Sequence, residues 1–126
     1  MKIDRKTNFI VIENKANSLY SLIGDGQYRA TSLGRTKWKT LIGSEASLQR
    51  YCNEEGFNAA STSNDRSKVR IGILANNQNN CNTFNSVIGF GTPGKKPGDS
   101  TCGNVARRGP DNGDKNIKAM GYILVQ

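Results

Sequence analysis

Short apolar runs alternate with polar and glycine-rich punctuation along this chain, and the spacing predicts strands rather than long helices. Asn8-Phe9-Ile10-Val11-Ile12-Glu13 and Leu19-Tyr20-Ser21-Leu22-Ile23 read as two strands. Gly24-Asp25-Gly26 supplies a tight reversal, and Gln27 to Leu33 reads as the returning strand of a hairpin. Alternation continues from Arg35 to Ile42. Ser44 to Cys52 is the one helical candidate, with Ser44 as its cap, and the same residues also fit a strand. Lys68 to Ala75, Val87-Ile88-Gly89-Phe90 and Ile117 to Val125 complete the set of predicted strands.

Gly91 to Gly103 and Gly109 to Asp114 are turn-rich, and the stretches 58–65 and 76–82 are polar. The length of 126 residues suits one domain. The expected fold is therefore an all-β, single-domain antiparallel β-sandwich or barrel with long Gly/Asn-rich loops, with a small α/β fold as the alternative. Glycine inside strands at Gly72, Gly89 and Gly121 predicts bulges or close backbone packing, or else a ligand laid against the backbone.

Charge changes this picture more than composition does. The chain has 18 Lys and Arg against 10 Asp and Glu, a formal net charge of +8, and no histidine. Arg35, Lys37 and Lys39 recur at period two, as do Arg66, Lys68 and Arg70, so each triplet is expected to line one side of a strand. If the two strands are neighbours, six cations share one face, which Lys95, Lys96, Arg107 and Arg108 can extend from loops. Such a face attracts sulfated or carboxylated polysaccharide, nucleic acid or another anionic surface. A merely solvated face that discourages edge-to-edge pairing is the bland alternative. Trp38 falls opposite Lys37 and Lys39, which predicts a core role for it and leaves nucleic acid as the secondary partner.

Asn76, Asn77 and Asn79, together with Asp111 and Asn112, concentrate hydrogen-bonding groups on loops where they can read sugar hydroxyls. Asp111-Asn112-Gly113-Asp114 lacks the remaining spacing of a calcium loop and reads first as an Asx turn. No metal or other cofactor is expected. Without histidine, neither Ser/Thr nor Cys nucleophiles have their usual activating base. A two-carboxylate glycosidase would have to draw on Glu13, Glu45, Glu54, Glu55, Asp65, Asp99, Asp111 and Asp114, most of them in polar turn sequence. A non-enzymatic protein is expected. Among Cys52, Cys81 and Cys102, loop placement favours a Cys81–Cys102 bridge, with three reduced thiols as the alternative.

Tyr51 to Asn58, Val69 to Cys81, Ile88-Gly89-Phe90-Gly91, Cys102-Gly103-Asn104, and Asp111-Asn112-Gly113 through Tyr122-Ile123-Leu124-Val125-Gln126 form an ordered set of motifs. The set covers roughly the C-terminal two-thirds of the chain. It resembles a cysteine-containing module of extracellular mosaic and matrix proteins of marine invertebrates. The resemblance implies an oxidising extracellular setting and recognition or adhesion rather than chemistry. The absence of an apolar signal segment after Met1 keeps a cytoplasmic setting open, and no run is apolar enough for a membrane span. The leading expectation is a lectin-like module binding glycans or anionic polysaccharide. The alternatives are a structural or matrix protein without a defined pocket and a basic nucleic-acid-binding protein.

Overall fold

A computed structural model describes residues 1–62, 67–93 and 98–126. In chain order the elements are β1 (Lys2–Ile3), β2 (Lys6–Thr7), α1 (Leu19–Ile23), β3 (Arg29–Ala30), α2 (Arg35–Lys39), β4 (Tyr51–Ala60), β5 (Lys68–Asn76), β6 (Ser86–Phe90), β7 (Cys102–Ala106) and β8 (Lys115–Lys118). Strands β3 to β8 form one six-stranded antiparallel sheet in the order of the chain, and β1 and β2 form a separate two-stranded ribbon. The all-β expectation holds, but the sheet does not close into a barrel. A bridge between Lys2 and Met120 lays β1 beside the continuation of β8.

The sheet is apolar on both faces, which explains the nearly continuous hydrophobic run of β5. Ile71, Ile73, Ala75, Ile88 and Phe57 meet Trp38, Leu41, Ile42 and Leu48 on one wall. Leu74, Val87, Val105 and Phe84 gather with Ala59 and Val69 on the other. Each fully buried Leu, Ile or Phe contributes about 1.5–3 kcal/mol relative to exposure.

A row of glycines crosses the middle of the sheet. Gly56 faces Gly72, Gly72 faces Gly89, and Gly89 faces Gly103 on β4 to β7. A Cβ at these positions would lie 2.1 Å from the Arg29 carbonyl, 2.2 Å from that of Ile88, 2.2 Å from that of Ile71 and 2.0 Å from that of Ile117, respectively. Gly56, Gly89 and Gly103 also have φ of 135°, 149° and 130°. The glycines expected to mark close packing at 72 and 89 do so, and Gly121 lies against the Phe90 ring. The space a ligand would need beside this row is filled by the neighbouring strand.

Several predicted elements differ from the structure, each for a local reason. Leu19–Ile23 is a helix because Ser18 caps it, accepting from the Ser21 N–H, while Leu19, Leu22 and Ile23 share a helical face toward the core. Arg35–Lys39 is likewise a helix, since Trp38, Leu41 and Ile42 recur at three and four rather than two. Residues 8–13 alternate as expected, with Ile10 and Ile12 inward and Phe9 and Val11 outward, yet residues 9–13 pair with no strand among the described residues. Residues 44–50 are not helical, and β4 begins at Tyr51. Regular pairing of the last predicted strand stops at Lys118, and Tyr122, Ile123, Leu124 and Val125 are exposed.

The expected Cys81–Cys102 bridge is corrected: the disulfide joins Cys52 to Cys81 across a Cα separation of 5.3 Å. Tyr51 pairs with Asn76, and Cys52 sits at φ 53° in the bulge that follows, so the loop leaving β5 brings Cys81 alongside. Cys102 opens β7, two strands from β5, and keeps a free, half-buried thiol whose pKa burial pushes up.

Candidate functional site

Residues 44–50 cross one end of the sheet without a strand partner, so their backbone groups depend on side chains. Asn104, fully buried on β7, accepts from the Ser47 N–H at 2.8 Å and donates to the Ser47 carbonyl at 2.9 Å. Ser86 Oγ accepts from the Gln49 N–H, and the Gln49 carboxamide donates to the carbonyls of Arg107 and Arg108. Asn112 donates to the carbonyls of Ser44 and Ala46, and its own N–H reaches Ser47 Oγ.

Asp111 is the hub of this end. Its Oδ1 accepts from the Leu48 N–H at 3.0 Å, and its Oδ2 takes Arg35 and Lys39, each at 2.7 Å. Burial pushes its carboxyl up, but the Lys39, Leu48 and Arg35 donors prevail and hold it below the usual aspartate range. The same Arg35 guanidinium donates to the carbonyls of Gln49, Arg50 and Leu48. Helix spacing makes this possible, because Arg35 and Lys39 are four apart and share a face that an alternating strand would have shared with Lys37 as well.

A second carboxylate sets the helix in place. Buried Glu55 accepts from Thr31 Oγ1, the Leu33 N–H at 2.9 Å, the Gly34 N–H at 2.7 Å and Trp38 Nε1 at 2.8 Å. Burial alone would raise its pKa, but these four donors more than offset that and hold the carboxyl below the ordinary glutamate range. Trp38 is thus a core residue, as expected, with its N–H satisfied. The neighbouring Glu54 carboxyl is pushed up by burial, opposed by the Ala60 N–H.

Of the residues singled out in the sequence, Arg35, Lys39, Asp111 and Asn112 come together, and Lys37 stands on the same helix. Arg50 and Arg108 are exposed beside this hub, Lys37 is exposed off the Arg35/Lys39 face of α2, and none of the three has a carboxylate partner among the described residues. Arg35, Lys39, Arg50 and Arg108 therefore gather at the end that holds Asp111, where Asp114 accepts from the Gly109 N–H. The expected six-cation face is not assembled. Lys68 lines a pocket of about 40 Å³ on the Leu74–Val105 wall, opposite the wall that carries α2. Arg70 donates to the Ile23 carbonyl and Asn58 Oδ1, tying α1 to β4. Arg66 lies outside the described residues, as do Lys95, Lys96 and Asp65.

The asparagine loop is likewise taken up by architecture. Asn76 is buried and donates to the Asn80 carbonyl, while the Asn85 amide bridges the side-chain oxygens of Asn76 and Asn77. Asn79 is exposed. Arg50 carried no periodic signal, so the sequence reading missed it. Arg108 showed only as a loop cation, although the Gly109-Pro110-Asp111-Asn112-Gly113 turn after it marks where the loop reverses toward Leu48. No helix is long and apolar enough to cross a membrane among the described residues. Compared with known protein families, curated protein sequences and solved structures, the chain matches none.

Proposed function

We propose that this protein is a non-enzymatic extracellular recognition module that binds anionic polysaccharide through the basic end around Asp111. One observation carries the reading: Arg50 and Arg108 have no carboxylate partner among the described residues and lie beside Arg35 and Lys39, which a single carboxylate holds in fixed positions. Fixed cations lose less side-chain entropy on meeting sulfate or carboxylate groups, and unpaired ones gain the most from them. The Cys52–Cys81 bridge supports an oxidising setting, in keeping with the resemblance to extracellular modules.

Retention on heparin and on duplex DNA across a salt series tests this. The expected result is stronger retention on heparin, and a double Arg50→Glu, Arg108→Glu variant should lower the salt dependence of log affinity by about two, one for each lost contact. Lys68→Glu, on the opposite wall, should leave retention unchanged. Equal loss from Lys68→Glu, or no loss from the double variant, would sink the site. Preference for DNA would favour the nucleic-acid reading instead.

A further inference from the structure

An open gap lies between the N-terminal segment and the β3 edge of the sheet. Extended residues Val11 to Asn14 form one wall and Ala30 to Leu33 the other, enclosing about 600 Å³. Thr31 donates to the Glu55 carbonyl, so antiparallel alternation turns the N–H and C=O groups of Ala30 and Ser32 away from β4 and toward the gap. Among the described residues, 11–14 make no backbone hydrogen bond either. The β3 wall is thus an open strand edge, the usual template for adding another strand, and the facing wall is a segment with unpaired backbone.

The same chain carries an unpaired segment suited to that place. Tyr122, Ile123, Leu124 and Val125 are 76%, 43%, 90% and 67% exposed, and residues 121–126 make no backbone hydrogen bond among the described residues. Their β-branched and aromatic composition favours a strand. With Met120, 60% exposed, they present on the order of 600 Å², close to the ~800 Å² per partner of a stable interface. Charge agrees as well. Among the described residues, Glu13 is the one charged residue lining the gap, and Lys118, just before the segment, has no ion-pair partner.

We infer that residues 121–126 of a second copy of this chain enter the gap between residues 11–14 and 30–33 as an added strand. Donor segment and gap are different surfaces, so each copy can both give and receive, closing into a reciprocal pair or ring where the rotation closes and extending into chains where it does not. The gap shares no residue with the basic end, so this inference does not rest on the polysaccharide reading.

Sedimentation of the full chain over a wide concentration series tests it. The mass should grow with concentration past that of the single chain. Leu124→Asp, at a position too exposed to affect folding, and Ser32→Pro, which removes an edge N–H, should each weaken association by about tenfold or more. Mixing the two variants should restore association only as far as a dimer, because one keeps the gap and the other the donor segment. A wild-type chain that stays monomeric throughout overturns the inference, including the case in which protected amides at 122–125 show each copy filling its own gap. Variants that associate like the wild type overturn it too.

Discussion

At the glycine row of β4 to β7 backbone meets backbone, whereas along residues 44–50 backbone is met by side chains. Both regions draw on the glycine and asparagine that give the chain its loop-like composition. In the row, hydrogen atoms alone fit between Gly89 and the Ile71 carbonyl, and the strands hydrogen-bond to one another. At the rim, Asn104 and Asp111 act as surrogate strand partners for Ser47 and Leu48. The contrast teaches that small or polar residues here serve the packing of the sheet centre and the docking of its edge.

The comparison breaks most sharply at Gly89. Gly89→Ala puts a Cβ 2.2 Å from a backbone oxygen at a φ of 149°, so a loss of about 4 kcal/mol or more is expected in chemical denaturation, enough to unfold a marginal domain. Gly113→Ala is the matched control. Its φ is 75° but nothing lies within 4 Å, so the loss should stay near 1 kcal/mol.

At the rim, Asn104→Ala should cost about 3 kcal/mol, because it strands the buried Ser47 N–H and carbonyl without partners. Hydrogen exchange would then show lost protection at residues 47–49 while β5 and β6 stay protected. Uniform loss across the sheet would mean that the rim and the centre are not separable.

The smallest effect sharpens the role of Glu55. Its folded pKa lies below the unfolded value of about 4.3, so its contribution is present at neutral pH and lost as pH falls through the folded value. Asp111 acts in the same direction. Glu55→Gln should cost about 2 kcal/mol at neutral pH and flatten the decline in stability on acidification. An unchanged acid profile would show that the decline resides elsewhere.

Where burial on both faces left a dense apolar run, the sequence revealed the element. β5 and β6 were visible as Lys68 to Ala75 and Val87 to Phe90, because burial on both faces leaves a dense apolar run. The all-β class and the core position of Trp38 were legible on the same ground. The α2 helix was not, because Arg-Thr-Lys-Trp-Lys satisfies both a period of two and the start of a helix, and Glu55, 17 residues beyond Trp38, decides between them. The Asp111 hub joins residues up to 76 apart, a separation at which no spacing rule operates. The cysteine pairing was misjudged for the same reason, since a bulge in β4 rather than loop length brings Cys52 to Cys81.

The glycine row also bears on how this protein can vary through descent. Each member's missing side chain is occupied by an oxygen of the adjacent strand, so relief at one position demands a shift that the next pair must absorb. Single exchanges pass through a misfolded state, and compensating exchanges have to arrive together. A change at any one of the four positions is therefore expected to be tolerated only together with a change in the strand beside it.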